Sequence, residues 1–143
     1  MTAQCIYAPV GYRESIQEDK WVKESLNLSR ASIYPHYKMG AVIIKKNKVV
    51  SYGINSRKTH PLQKKFNPKE INKAHALHAE MHAISLACVE DLIDSTIYVG
   101  RLTKTGLVAN SRPCIACYTA MKTFGVKSFV YWESGNFYKE YFE

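Results

Sequence analysis

Two short stretches carry the side chains able to do chemistry. HALHAEMHAI, residues 75–84, holds His75, His78, Glu80 and His82. SRPCIACY, residues 111–118, holds Cys114 and Cys117, with Pro113 just before them. Imidazole and thiolate are zinc ligands, and their number decides what the metal does. Four protein ligands close a structural site, whereas three leave a position for water. His78, His82, Cys114 and Cys117 would make the closed kind, because His78 and His82 lie four apart on one helix face. Glu80 would then be incidental. His78, Cys114 and Cys117 alone would make the open kind, with Glu80 beside the water and His82 a packing residue.

The open arrangement is favoured by the position of Glu80, two residues past His78. From there a carboxylate meets a metal-held water without binding the metal. A C-x-x-C pair at a helix start is also suited to metal, since the helix dipole and free N–H groups favour thiolate. The same pair serves thiol redox chemistry, but that use expects it just after an early strand, with no glutamate–histidine partner. A metalloprotease requires H-E-x-x-H, and Ala79 stands where its glutamate would be.

These residues need elements to position them. Residues 13–32 read as a helix burying Val22, Leu26 and Ile33, ended before Pro35. GAVIIKKNKVVSYGIN reads as an antiparallel hairpin turning at KKNK. Residues 56–74, with Pro61 and Pro68, read as a long loop. HAEMHAISLACVEDL reads as one helix with Met81, Ile84, Ser85 and Cys88 on a stripe. STIYVG is a strand. CIACYTAMKTFG is a helix burying Cys117, Met121 and Phe124 and stopped by Gly125. VKSFVYW is a second strand, and strand–helix–strand predicts a parallel crossover. SGNFYKEYFE reads as a short terminal helix. The sum is one mixed sheet with helices on both faces.

The 143 residues suit one domain over 1–143, and 46% hydrophobic content is a globular composition. No apolar run nears the ~20 residues of a membrane span, and the start lacks a leader pattern. A cytoplasmic, thiol-reducing location is therefore expected. Cys5 and Cys88 stand alone, read as a terminal thiol and a core residue. The net charge of +8 is concentrated in Arg57, Lys58, Lys64, Lys65, Lys69 and Lys73, against Glu70 alone. Such a run is either a solvated loop face or a surface for phosphate.

H-x-E … P-C-x-x-C is the pattern of the zinc-dependent nucleobase deaminases. From GAVIIK to SFVYW the chain resembles the cytidine and deoxycytidylate deaminase superfamily. The resemblance implies a three-layer α/β/α sandwich around a mixed, mostly five-stranded sheet. It implies Zn2+ on His78, Cys114 and Cys117, and Glu80 as proton shuttle in hydrolytic deamination. Zinc supplies the nucleophile by lowering the pKa of a bound water from about 16 to about 7. Asn55, in the G-x-N segment, maps to a contact with sugar or base. The helix N–H groups near Ala79 and Cys114, with Pro113 between the strand and the helix, would hold the base. Free cytidine deaminases of this family use three cysteines. The histidine–cysteine–cysteine set is shared with deoxycytidylate and nucleic-acid deaminases.

With Lys58 and His60 as phosphate contacts, the expected reaction is dCMP to dUMP. Two alternatives remain open: a nucleic-acid deaminase acting on tRNA adenosine or single-stranded cytosine, and a non-catalytic zinc module that binds nucleic acid. The family also implies a homo-oligomer and, in some members, a second zinc, for which Cys5, Cys88, His60 or His75 are available. Tyr131 and Trp132 read as core or interface residues near the pocket mouth. Two departures stand out. Asn110-Ser111-Arg112 replaces the usual Thr-x-Glu/Ser before Pro-Cys, and GRLTKTGLVANSR replaces a short connection. The short chain and that connection are similar to phage-encoded relatives.

Overall fold

A computed structural model describes residues 6–58, 60–67 and 76–142. The elements are β1 (Arg13–Ile16), α1 (Lys20–Ser29), β2 (Lys38–Lys45), β3 (Lys48–Ile54), α2 (Pro61–Phe66), α3 (Ala79–Leu86), α4 (Val89–Leu92), β4 (Thr96–Leu102), α5 (Ile115–Thr123), β5 (Ser128–Glu133) and β6 (Asn136–Tyr141). The strands form one mixed sheet in the order β1-β6-β5-β4-β2-β3.

The expected hairpin forms because Lys46 and Asn47 both take positive φ, at 51° and 59°. Two such residues give the turn whose twist matches that of the strands. The crossover also forms, with β4 and β5 parallel and α5 between them in sequence. Side chains alternate along the strands and divide the interior in two. Ala41, Ile43, Ile97, Val99 and Phe129 face α3 and α5. Val42, Ile44, Tyr98 and Val130 face Val22 and Leu26 of α1. The result is a three-layer α/β/α arrangement.

Both helix layers sit directly on strand backbone. A Cβ at Gly40 would lie 2.6 Å from the Ser25 carbonyl oxygen, and one at Gly53 2.5 Å from the Ala83 nitrogen. Those glycines fix the height of α1 and α3 over the sheet. Gly53 therefore bears on the site, because α3 begins beside His78.

Four expectations are corrected. The first helix is shorter: Asp19 caps it by accepting from the N–H groups of Trp21 and Val22, at 3.0 and 2.9 Å. Residues 13–16 are instead strand β1, and Ile33, beyond the helix, is 92% exposed. SGNFYKEYFE is not a helix. Ser134 and Gly135 take φ of 49° and 90°, a tight turn that returns the chain as β6 alongside β5. With β1 and β6 added to the four strands read from the sequence, the sheet has six strands and not five. The presumed loop contains α2, whose cap is His60, with Nδ1 accepting the Leu62 N–H. The helix after His78 breaks at Ala87, so Cys88 is exposed and not in the core.

Candidate metal centre and active site

His78 and Cys114 occupy equivalent places, the caps of α3 and α5. Neither side chain makes a helix-capping hydrogen bond, so both are available to a metal. Cys117 follows in the first turn of α5. The His78 Nδ1 lies 3.5 Å from Cys114 Sγ and 3.4 Å from Cys117 Sγ, and all three donor atoms fall within 4.8 Å of one another. Zinc bonds of about 2.3 Å to sulfur and about 2.0–2.1 Å to nitrogen, at tetrahedral angles, require an N···S edge of roughly 3.5 Å. The spacing fits zinc. Among the described residues no other group of three such ligands exists.

Protonation in the triad is already divided. A hydrogen bond from Cys117 outweighs burial and holds the Cys114 thiol well below its ordinary value, helped by His78. Burial, with Cys114 beside it, pushes Cys117 well above its own. Burial alone would lower His78, but the hydrogen bond to Cys114 together with the charges of Cys114 and Glu80 outweighs it and raises the imidazole. The thiolate form is thus favoured at Cys114, and a dication would favour it at Cys117 as well.

Glu80, in the first turn of α3, is 2% exposed. Burial is the main reason its carboxyl is pushed up to about 7. Its Oε1 is buried with no hydrogen-bond partner among the described residues. It lines the same pocket as His78 and Cys114 yet stands outside the triad. His82 is not brought to the triad. Its Nδ1 accepts the Ile54 N–H at 3.1 Å and ties α3 to the end of β3. The histidine that could have closed the site is occupied elsewhere.

The pocket is also lined by Asn55, Tyr37, Met39, Arg101, Asn110, Arg112 and Tyr7. Asn55 Oδ1 accepts from Ser32 Oγ at 2.5 Å and from the Met39 N–H at 2.9 Å, and its Nδ2 donates to the Tyr37 carbonyl at 3.1 Å. Asn55 thereby fixes the wall that carries Tyr37 and Met39. Lys58 is exposed, and His60 caps α2; neither lines the pocket. Ala79 and Pro113 are buried and are not lining residues. Tyr131 is fully buried, and its hydroxyl donates to Glu140 at 2.7 Å, so it belongs to the core, while Trp132 joins β5 to Ser111. His75 and Cys5 lie outside the described residues.

Two positioning residues carried no sequence signal. Gln63 of α2 is fully buried, and its Oε1 accepts the His78 N–H at 2.9 Å. Ser111 donates to the Val99 carbonyl and accepts from the Trp132 N–H, at 2.8 and 3.0 Å. It bridges β4 and β5 where their pairing stops, and so aims residues 112–114 at the site. That opening, past the carboxyl ends of parallel strands, is where α/β sheets bind ligands.

A three-layer α/β fold with a histidine–cysteine–cysteine triad and a buried carboxyl at two helix starts defines a class of zinc-dependent hydrolytic deaminase. The family described as the cytidine and deoxycytidylate deaminase zinc-binding region matches residues 15–133, and the chain belongs to it. Among solved structures, the dCMP deaminase of the cyanophage S-TIM5 in apo form is 18% identical over 76% of each chain, with a TM-score of 0.51. The same phage enzyme in complex with dCMP and dUMP gives 19% identity, 76% and 75% coverage, and a TM-score of 0.51. RibD of Acinetobacter baumannii is 22% identical over 76% of this chain but 26% of its own, with a TM-score of 0.45. At these identities the two phage structures share the fold. No curated protein matches the chain in sequence. Among the described residues no helix is long and apolar enough to cross a membrane.

Proposed function

We propose that the protein hydrolyses the amine of a cytosine nucleotide, converting dCMP to dUMP. The observation that carries the reading is Glu80: a buried carboxyl with an unbonded oxygen, pushed up to about 7, beside a triad that supplies three ligands only. Such a group exchanges a proton readily at neutral pH. Zinc, when bound by His78, Cys114 and Cys117, supplies the Lewis acidity that makes a water nucleophilic. Glu80 accepts the proton released by the attacking water and passes it to N3 of the cytosine. Glu80 then takes the proton of the hydroxyl now on C4 and delivers it to the amine, which leaves as ammonia as the C4 carbonyl of the uracil product forms. Asn55 keeps the Tyr37–Met39 wall in place, and Gln63 keeps His78 in its tautomer-independent position through the backbone.

The same fold in the phage enzyme accompanies dCMP and dUMP, which supports the nucleotide reading. The bond between His82 and Ile54 weighs against a closed, non-catalytic zinc module. The test is a mass-spectrometric screen of zinc-loaded protein against dCMP, CMP, dCTP, cytidine, a single-stranded cytosine oligonucleotide and tRNA, with Glu80→Ala alongside. Conversion of dCMP that vanishes in the variant is the expected result. Conversion of polymer alone would transfer the function to nucleic-acid deamination, and conversion of none would overturn the enzyme reading.

A further inference from the structure

The connection by which this chain departs from its family begins and ends with arginines of the pocket. Arg112 is fully engaged. Its Nε and Nη2 donate to the two oxygens of Glu140, both at 3.0 Å, and its Nη1 donates to the Ala8 carbonyl at 2.7 Å. Arg101 is half-buried and lacks a matching partner among the described residues. Its guanidinium lies over the Tyr37 ring, 4.4 Å from the centroid, and its Nη1 donates to the Asn110 carbonyl at 3.4 Å. Its Nε is buried with no hydrogen-bond partner, and no carboxylate lies within ion-pair distance among the described residues. Glu80 is the one acid among the lining residues, and it sits with the metal ligands.

We propose that Arg101 is the specificity residue of this pocket and receives the phosphate monoester of a mononucleotide on its Nε–Nη2 edge. That edge, on Arg112, is the one that grips two carboxylate oxygens, and phosphate offers the same pair. A guanidinium whose buried Nε–H has no partner is unfavourable until an acceptor joins it. Tyr37 holds the guanidinium plane, and sliding over the ring face lets the edge meet the ligand without losing the contact. Lys58 and His60, the phosphate contacts suggested by composition, lie outside the lining. The inference rests on the nucleotide reading above and names the group that reads the phosphate.

Calorimetric titration of the zinc-loaded protein with dUMP and with deoxyuridine tests it apart from turnover. The wild type is expected to bind dUMP at least tenfold more tightly. Arg101→Gln should bring that ratio near one while deoxyuridine affinity holds, and Arg101→Lys should fall between. An unchanged ratio in Arg101→Gln, or equal loss of both ligands, overturns the proposal. So does a ratio that collapses in Lys58→Gln instead, or Arg101-dependent binding confined to an oligonucleotide. Absence of any preference for dUMP in the wild type overturns it as well. Arg101-dependent dUMP binding without dCMP turnover would uphold the phosphate assignment and sink the deamination reading.

Discussion

The pocket has an inner and an outer half, built on different principles. The inner half, His78, Glu80, Cys114 and Cys117, is carried by the first turns of two helices. Its residues are two or three apart in sequence, so local helix geometry sets most of their spacing. The outer half, Tyr7, Tyr37, Arg101 and Arg112, comes from an N-terminal segment, a loop, a strand end and a connection. Only long-range contacts hold it: Arg112 grips Ala8 and Glu140, and the Ile115 N–H at the start of α5 donates to the Ile6 carbonyl at 2.7 Å. The difference teaches where each property resides. Chemistry depends on the local half, and substrate choice and part of the stability on the distant one.

The sharpest break between the halves is Glu80→Ala. Turnover of dCMP should fall by roughly 10²–10⁴ or more, while dUMP affinity stays within a few-fold. Steady-state kinetics beside calorimetry would show it, and a matching loss of affinity would mean that the halves are not separable. Next in size is Arg112→Ala. It strands the Glu140 carboxylate, which is 1% exposed, and should cost about 3–5 kcal/mol in urea unfolding. Arg101→Gln, which breaks no ion pair, should cost under ~1 kcal/mol in the same assay. Equal losses would erase the contrast between the two arginines.

Acid should reveal the same ion pair. Burial alone would raise Glu140, but hydrogen bonds from Arg112 and Tyr131 outweigh it and hold the carboxyl below its ordinary 4.5. A carboxyl lowered by folding stabilises the protein above its unfolded pKa and loses that contribution as pH falls toward the folded value. The stability gap between wild type and Glu140→Gln should therefore be full at pH 7 and shrink below about pH 4.5. A gap constant from pH 7 to pH 3 would contradict it. A change outside both halves should leave ligand choice alone. Asp19→Ala removes the cap of α1 and should cost about 1 kcal/mol, with the dUMP-to-deoxyuridine ratio unmoved.

The sequence made the inner half legible because its signal is periodic and local. The H-x-E and C-x-x-C spacings, the hairpin turn at KKNK and the stop at Gly125 were each readable within a few residues. Where the reading failed, the cause was competition between local and distant terms. Residues 136–141 carry aromatics that suit either a helix or a strand, and pairing with β1 and β5 decided for the strand. Arg13 to Ile16 followed their partner. The Asp19 cap was a local signal that went unread. Gln63 hid in a proline-flanked stretch that looked structureless. Arg101 could be noticed only as part of an unfamiliar connection, since nothing in a linear string shows that a guanidinium lacks a partner.

Strand β6 has a consequence for how the protein is made. It is the last strand in the chain, yet it lies inside the sheet, between β5 and β1. During synthesis β1 emerges first and has no neighbour to pair with until β6 follows, more than a hundred residues later. At ~5–20 residues per second, β1 waits several seconds as an open strand with its hydrogen-bonding groups bare. Glu140 arrives in that same late segment, so Arg112 also waits for its counter-charge.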